Sequence, residues 1–242
     1  MNWNFFTRVL PRLLTQSPDW NKYKESQAKE ISGKVNKARA EQFAKDYIEW
    51  NFISICDELH VFEMARDWAK KSEFEKLTVA DNIIRRFVER LRSANMGRGG
   101  QEGEPANMMP PKIYVARSAT GLMSVTSDGV VNVNPDVPEY KNDLVTFLKH
   151  LRHEAAHIID MFFPNLSPLD ADIRMRAMLF YMQPKENMNL YKTNPLEVNA
   201  NIRQDQFGDI LRAKIALCEY NRIRGLTGNA MGGMLPRIPR GR

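Results

Sequence analysis

The sequence has few cysteines and no long apolar run. Its 242 residues include only Cys56 and Cys218 as cysteines, which excludes a disulfide framework and a cysteine-rich zinc module. No stretch of 18 apolar residues is present, so no transmembrane helix is expected. The first 14 residues are apolar, but Arg8 and Arg12 interrupt them, so they lack the core of a signal peptide. We therefore expect a cytoplasmic protein. Export by a route that does not use a signal peptide is the alternative.

Acidic residues are missing from the C-terminal end of the chain. Residues 220–242 carry five arginines and no acid, whereas residues 101–219 have a net charge of −3 and residues 1–100 a net charge of +4. Glycine and proline separate these arginines, which predicts a flexible basic tail. Such a tail could contact nucleic acid or an acidic membrane surface. A solvated tail that only aids solubility is the alternative interpretation.

The remaining chain divides into two regions that differ in their spacing of apolar residues. Residues 1–96 show apolar stripes at helical spacing, and the pattern from Thr78 to Asp81 predicts a helix start. A linker rich in glycine and proline follows over 97–111. Short strands and a hairpin signal at Ser127-Asp128-Gly129 then precede a long helix that begins near Tyr140 and stops before Pro164. We expect an α+β fold with a domain over residues 112–219.

The long helix contains His153-Glu154-Ala155-Ala156-His157, an H-E-x-x-H motif. Residues four apart are neighbours on one helix face, so both imidazoles can reach a single metal ion. Glu154 projects about 100° away around the helix, where it can approach a water molecule on the metal as a general base. The chain has four histidines, and His150 is a third one within this short segment. The motif predicts a site for one Zn²⁺ per chain.

A catalytic zinc needs a third protein ligand, and no histidine follows His157. An acid must therefore serve. Glu197 is the favoured candidate because it lies in the first turn of a helix that begins at Pro195. Asp160 lies on the motif face, about 10 Å along the axis from His153, and is expected to support the site. Asn201, one turn after Glu197, is expected to hydrogen-bond a ligand.

The motif and the element Asn194-Pro195-Leu196-Glu197-Val198-Asn199-Ala200-Asn201 together resemble the zincin metallopeptidases, and in particular their gluzincin branch. The resemblance covers roughly residues 112–215 and is closest to minimal H-E-x-x-H proteins of bacteria, phages and mobile elements. It implies a small antiparallel sheet whose edge strand lines the cleft, a motif helix and C-terminal helices. It also implies hydrolysis of a protein or peptide substrate. Where gluzincins carry an aspartate, this chain has Asn201.

Further residues are predicted to contact the substrate. A peptide is expected to add as a strand beside Val130, Val131, Asn132 and Val133. A donor to the oxyanion is also expected, and the candidates are Tyr191, His150 and Arg203.

Other functions remain open at the level of sequence. The motif could be a structural metal site in a partner-binding protein. The chain could be a translocated toxin or effector with the same chemistry. A nucleic-acid-associated protein is the third alternative, and it would depend on the basic tail.

Overall fold

The computed structural model describes residues 18–43, 49–97, 112–119 and 121–232. The apolar stripe predicted over residues 5–14 and nearly all of the predicted linker lie outside these ranges. Before the sheet, the helices are α1 (Pro18–Ile31), α2 (Lys37–Phe43), α3 (Glu49–Glu58), a 3-10 helix (Phe62–Lys70) and α4 (Glu73–Gly97). After it come α5 (Pro138–Lys141), α6 (Leu144–Phe162), a 3-10 turn (Pro164–Leu166), α7 (Ala171–Leu179), α8 (Met188–Lys192) and α9 (Pro195–Gly232). The predicted α+β class is confirmed.

The strands β1 (Tyr114–Arg117), β2 (Met123–Val125) and β3 (Val130–Val133) form a three-stranded sheet in the described part of the chain. Its order is β1-β3-β2. Strands β2 and β3 form the predicted antiparallel hairpin, in which Gly129 adopts a φ of 89° that favours glycine. Strand β1 pairs with β3 in parallel, from Tyr114 opposite Val130 to Arg117 opposite Val133. The sheet is therefore mixed, whereas the resemblance implied an antiparallel one.

One large apolar core joins the two regions that the sequence separates. It includes Phe52 and Phe87 from the N-terminal helices, Val131 from the sheet, Phe147 from α6 and Phe207 from α9. The ring of Phe52 packs edge-on against Phe87 and against Phe207, with centroids 5.7 and 5.2 Å apart. The segments predicted as residues 1–96 and 112–219 therefore bury their apolar surfaces against each other.

Three helix boundaries differ from the sequence expectation. The motif helix α6 begins at Leu144 and not near Tyr140, which lies in the separate short helix α5. Helix α4 begins at Glu73, because Ser72 and Glu75 form a reciprocal capping box in which each backbone N–H donates to the other side chain, at 3.3 and 2.8 Å. The predicted start at Thr78 was wrong, since the Thr78 hydroxyl donates to the carbonyl of Phe74 inside the helix. Helix α9 continues to Gly232, so residues 220–232 are helical where a flexible tail was predicted. The remaining residues of that tail are outside the described ranges.

No helix in the described ranges has both the length and the apolar composition needed to cross a bilayer.

Candidate metal centre

Helix α6 presents the two motif histidines on one face. Asp143 caps its N-terminus by accepting the backbone N–H of Val145 at 2.9 Å. The helix then runs unbroken through the motif, so His153 and His157 lie one turn apart. Their Nε2 atoms are 3.1 Å from each other, and their side chains are mostly buried. The two imidazoles therefore converge on one small volume, as the motif predicts.

Helix α9 supplies the carboxylate of Glu197. The Asn194 side chain accepts the backbone N–H of Leu196 at 2.9 Å and donates to the carbonyl of Ala177 at 3.0 Å, which fixes the start of α9. Pro195 occupies the first helical position, where no N–H is needed. Glu197 thus falls in the first turn and is 2% exposed. Its Oε2 lies 3.3 Å from Nε2 of His153 and its Oε1 lies 3.4 Å from Nε2 of His157.

These three side chains form a group that could hold a metal ion. Each offers one ligand atom, and the ligand atoms all lie within 4.8 Å of one another. Within the described residues this is the group of histidine, cysteine and acidic side chains that meets that condition. The prediction that Glu197 joins the two histidines is therefore confirmed as geometry, and none of the other acids after His157 is needed for it.

The charges in this cluster favour an ionised carboxylate. Burial raises the pKa of Glu197, but hydrogen bonds from His153 and His157 outweigh it and hold the pKa well below the usual range. Burial lowers the pKa of His157, whereas the hydrogen bond and charge of Glu197 raise it more, to about 9. A carboxylate at a helix N-terminus is further stabilised by the helix dipole. Without a bound metal, the lowered pKa of Glu197 and the raised pKa of His157 thus favour a protonated imidazole beside an ionised carboxylate.

Glu154 lies beside the cluster without belonging to it. Its side chain is 6% exposed, and burial raises its pKa, although the charges of His157 and His153 oppose that shift. Glu154 follows His153 directly on α6, and its charge interacts with those of both histidines and of Glu197, so its carboxyl group is near the three candidate ligands. This is the position that the motif predicts for a group that exchanges protons with a water molecule.

A buried hydrogen-bond network ties α6 to α9 next to the ligands. Asp160 is completely buried and accepts hydrogen bonds from the Ser167 hydroxyl at 2.6 Å and from Nδ2 of Asn199 at 2.8 Å. Asp160 therefore ties α6 to α9, and its expected role in supporting the site stays a prediction. Asn201 shares a helix face with Glu197, but it is exposed, and no hydrogen bond joins it to a candidate ligand within the described residues. The supporting residue that the sequence analysis missed is Asn199.

Replacement of Asn199 by alanine should destabilise the metal-free protein by about 1–3 kcal/mol. The substitution leaves a completely buried carboxylate oxygen of Asp160 without its amide donor. Urea denaturation of the wild type and the variant measures the difference. Asn201→Ala is the matched control, since it removes the same side chain two residues on from an exposed position, and it should change stability by less than about 0.5 kcal/mol. Equal losses in the two variants would contradict the network.

Two tyrosines flank Glu197. The hydroxyl of Tyr181, which follows α7, donates to Oε1 of Glu197 at 2.5 Å. Tyr191 on α8 packs edge-on against the Tyr181 ring, with centroids 6.0 Å apart. Burial and the negative charge of Glu197 raise the pKa of both phenols, so both remain protonated donors. Tyr191 interacts with Glu197, and its expected role as a donor to the oxyanion stays a prediction. Tyr181 was missed, since no spacing rule connects it to Glu197.

Loss of the Tyr181 hydroxyl should weaken metal binding about 10-fold. Tyr181→Phe keeps the ring but removes the hydrogen bond that orients the Glu197 carboxylate. Competition titration with a chromogenic chelator measures the dissociation constant. Tyr114→Phe removes a hydroxyl from an exposed strand position and should leave the constant unchanged. An unaltered affinity in Tyr181→Phe would show that Glu197 is positioned without the phenol.

Two other candidates have local roles. Nδ1 of His150 lies 2.9 Å from the carbonyl of Thr146, and because a carbonyl only accepts, Nδ1 carries the proton. The imidazole also packs against Tyr140, at a centroid distance of 5.4 Å, and it is one turn from Glu154. Arg203 is completely buried on the inner face of α9. Its guanidinium therefore belongs to the protein interior and not to an open surface.

The predicted substrate strand was wrong. Val130, Val131, Asn132 and Val133 form β3, which is the central strand of the sheet. Its backbone pairs with β1 on one side and β2 on the other, so no free edge remains for a peptide. The strand that is at an edge and also contacts α6 is β2. The hairpin was predicted correctly, but the sequence did not indicate that β1 would cover β3.

Comparison of the chain with protein-family models, with curated proteins and with solved structures gave no match.

Proposed function

We propose that this protein is a zinc-dependent peptidase that hydrolyses peptide bonds in protein or peptide substrates. The observation that carries the proposal is the convergence of His153, His157 and Glu197, with the Glu154 carboxyl beside them. Two imidazoles, which are neutral when they bind a metal, and one carboxylate are a ligand set that catalytic zinc sites use, with a further position left for water. A histidine pair on one helix and an acid on another support the same interpretation.

The separations of the ligand atoms support zinc in particular. Atoms that bind zinc at about 2.0–2.1 Å in tetrahedral directions lie about 3.3–3.4 Å apart. Here the two Nε2 atoms are 3.1 Å apart, and each lies 3.3 or 3.4 Å from a different oxygen of the Glu197 carboxylate, so the three side chains enclose a volume of about this size. Larger cations that prefer six to eight oxygen ligands fit this nitrogen-rich group poorly.

The chain's own residues supply binding and proton transfer. When bound, zinc would polarise a carbonyl group and acidify a water molecule. Glu154 accepts the proton of the attacking water on its carboxylate and later delivers that proton to the departing amine nitrogen. Tyr181 holds the carboxylate of Glu197 in place. The Tyr191 hydroxyl is a donor for the substrate carbonyl oxygen as negative charge develops on it.

The free edge of β2 is the proposed place for the substrate backbone. In the part of the chain that the structure describes, Met123–Val125 pair with β3 on one side only, and this strand contacts helix α6, which carries the histidines. An extended peptide added there gains main-chain hydrogen bonds and passes along the motif helix. The substrate strand is thus displaced by one strand from the sequence prediction.

Metal-dependent cleavage of a peptide library tests the proposed function. The full chain loaded with one equivalent of zinc should cleave a subset of peptides, and removal of the metal by a chelator should abolish cleavage. Restoring zinc should restore it. Mass spectrometry of the products identifies the cleaved bonds. A protein that takes up no zinc in equilibrium dialysis would overturn the proposal, as would a zinc-loaded protein that cleaves no peptide.

A further inference from the structure

The C-terminal half of α9 carries an apolar stripe that faces away from the core. Ten large apolar side chains are exposed in the described residues, and four of them fall within 14 residues of this helix. Their exposed fractions are 38% for Ile210, 52% for Leu217, 59% for Tyr220 and 51% for Ile223. The exposed Ala213 and Ala216 complete what we call the α9 stripe. Apolar residues clustered in this way mark an interaction surface more often than scattered ones do.

The opposite face of the same segment is already occupied. Leu211 is completely buried, and Ile215 and Cys218 pack against the core. Lys214 forms an ion pair with Asp57 at 2.6 Å, which holds this part of α9 against α3. The helix is therefore fixed to the body of the protein, and the α9 stripe is presented outward on a rigid support.

Charges at the two ends of the stripe identify the occupant. Asp209, which also pairs with Arg212 at 2.9 Å, lies immediately before the stripe, and Arg224 lies immediately after it. A second copy of the helix in antiparallel orientation places the acidic end of one copy against the basic end of the other. A parallel copy would oppose like charges. Two copies of this segment therefore have complementary charges only when they pair in antiparallel orientation, about a twofold axis perpendicular to the helix.

The apolar residues obey the same symmetry. If the axis passes between Ala216 and Leu217, Ile210 of one copy faces Ile223 of the other, and the small Ala213 faces the large Tyr220. Asp209 then faces Arg224. A large side chain meets a small one or an equal partner at each level, which is how helices approach closely.

The geometry points to a homodimer in which two copies of this chain pair through antiparallel α9 stripes. A nucleic acid would require lysine and arginine along the face itself, whereas here the face is apolar and the charges lie at its ends. The inference is independent of the metal centre, since Glu197 and Leu217 are 20 residues apart on the helix, about 30 Å.

Sedimentation equilibrium of the full chain tests the dimer. The wild type should sediment at twice the 28.0 kDa chain mass at micromolar concentration. Leu217→Glu buries two charges at the centre of the interface and should raise the dissociation constant about 100-fold or more. Phe74→Glu is the matched control, because Phe74 is 77% exposed on α4, away from the stripe, and this variant should remain a dimer. Circular dichroism verifies that both variants are folded.

A charge-reversal pair tests the antiparallel orientation. Asp209→Arg and Arg224→Asp should each weaken the dimer, and the double variant should restore most of the affinity, because each acid again faces a base. Failure of the double variant to recover would overturn the antiparallel pairing. A wild type that is monomeric at all concentrations would overturn the dimer. If Leu217→Glu then lowers the melting temperature of that monomer, the stripe packs against its own chain and not against a second copy.

Discussion

Glu154→Gln should retain zinc and lose peptide hydrolysis, with kcat/KM reduced by about 10²–10⁴-fold. Glutamine has nearly the same shape as glutamate but can neither take the proton from water nor return one to the amine. The residue lies outside the group of ligand atoms, so the metal content should stay at one equivalent. Steady-state kinetics on a peptide identified from the library gives kcat/KM, and elemental analysis gives the zinc content.

Glu139→Gln serves as the control for this change. It makes the same substitution at an exposed position on α5 and should leave kcat/KM unaltered. Full activity in Glu154→Gln would eliminate the proposed proton transfer. Loss of zinc together with activity would instead assign Glu154 a role in binding the metal, which contradicts its placement beside the cluster.

His153→Ala has the second large expected effect, because it removes a ligand from the centre. The affinity for zinc should fall by more than the roughly 10–100-fold that follows from loss of an outer hydrogen-bond partner. The remaining His157 and Glu197 provide two ligand groups, too few for a catalytic site. Hydrolysis should be lost as well. Both effects differ from those of Glu154→Gln, so the two variants separate binding of the metal from transfer of the proton.

Thermal denaturation gives an independent measurement of the same loss. Zinc at 100 times its dissociation constant should stabilise the wild type by about 2.7 kcal/mol, which raises the melting temperature by about 5–10 °C. His153→Ala should show no such rise. His60→Ala is the control, since His60 is an exposed histidine whose Nδ1 lies 2.9 Å from Glu63, and this variant should respond to zinc as the wild type does. An undiminished response in His153→Ala would show that zinc binds elsewhere.

The metal centre was predictable where a local rule connects its residues. Spacing on one helix determines that His153 and His157 meet, and a proline after an asparagine determines that Glu197 falls in the first turn of α9. Both rules depend on residues within one element. Packing of α6 against α9 then brings the histidine pair and Glu197 together. The sequence indicated this packing only through the apolar faces of the two helices.

The residues that were missed depend on contacts between distant parts of the chain. Tyr181 reaches Glu197 across 16 residues, and Asn199 reaches Asp160 across 39. Asn199 did leave a signal, since an amide on the buried side of an amphipathic helix requires a buried partner. Tyr181 lies after the end of α7, where periodicity carries no information about direction.

The error in the sheet has a similar origin. A hairpin is local, so the sequence revealed β2 and β3, but the parallel pairing of β1 with β3 joins segments that are separated by another strand. Alternation of apolar residues indicates which face of a strand is buried and does not indicate its neighbours.

The separation of the ligands along the chain also affects how the protein is made. During synthesis on the ribosome, His153 and His157 emerge 44 and 40 residues before Glu197. A nascent chain therefore contains both imidazoles before the carboxylate of Glu197 has been made. Two imidazoles alone bind a cation weakly. The candidate metal centre can therefore assemble only after Glu197 has been translated, so the segment that carries both histidines is made before its carboxylate partner exists.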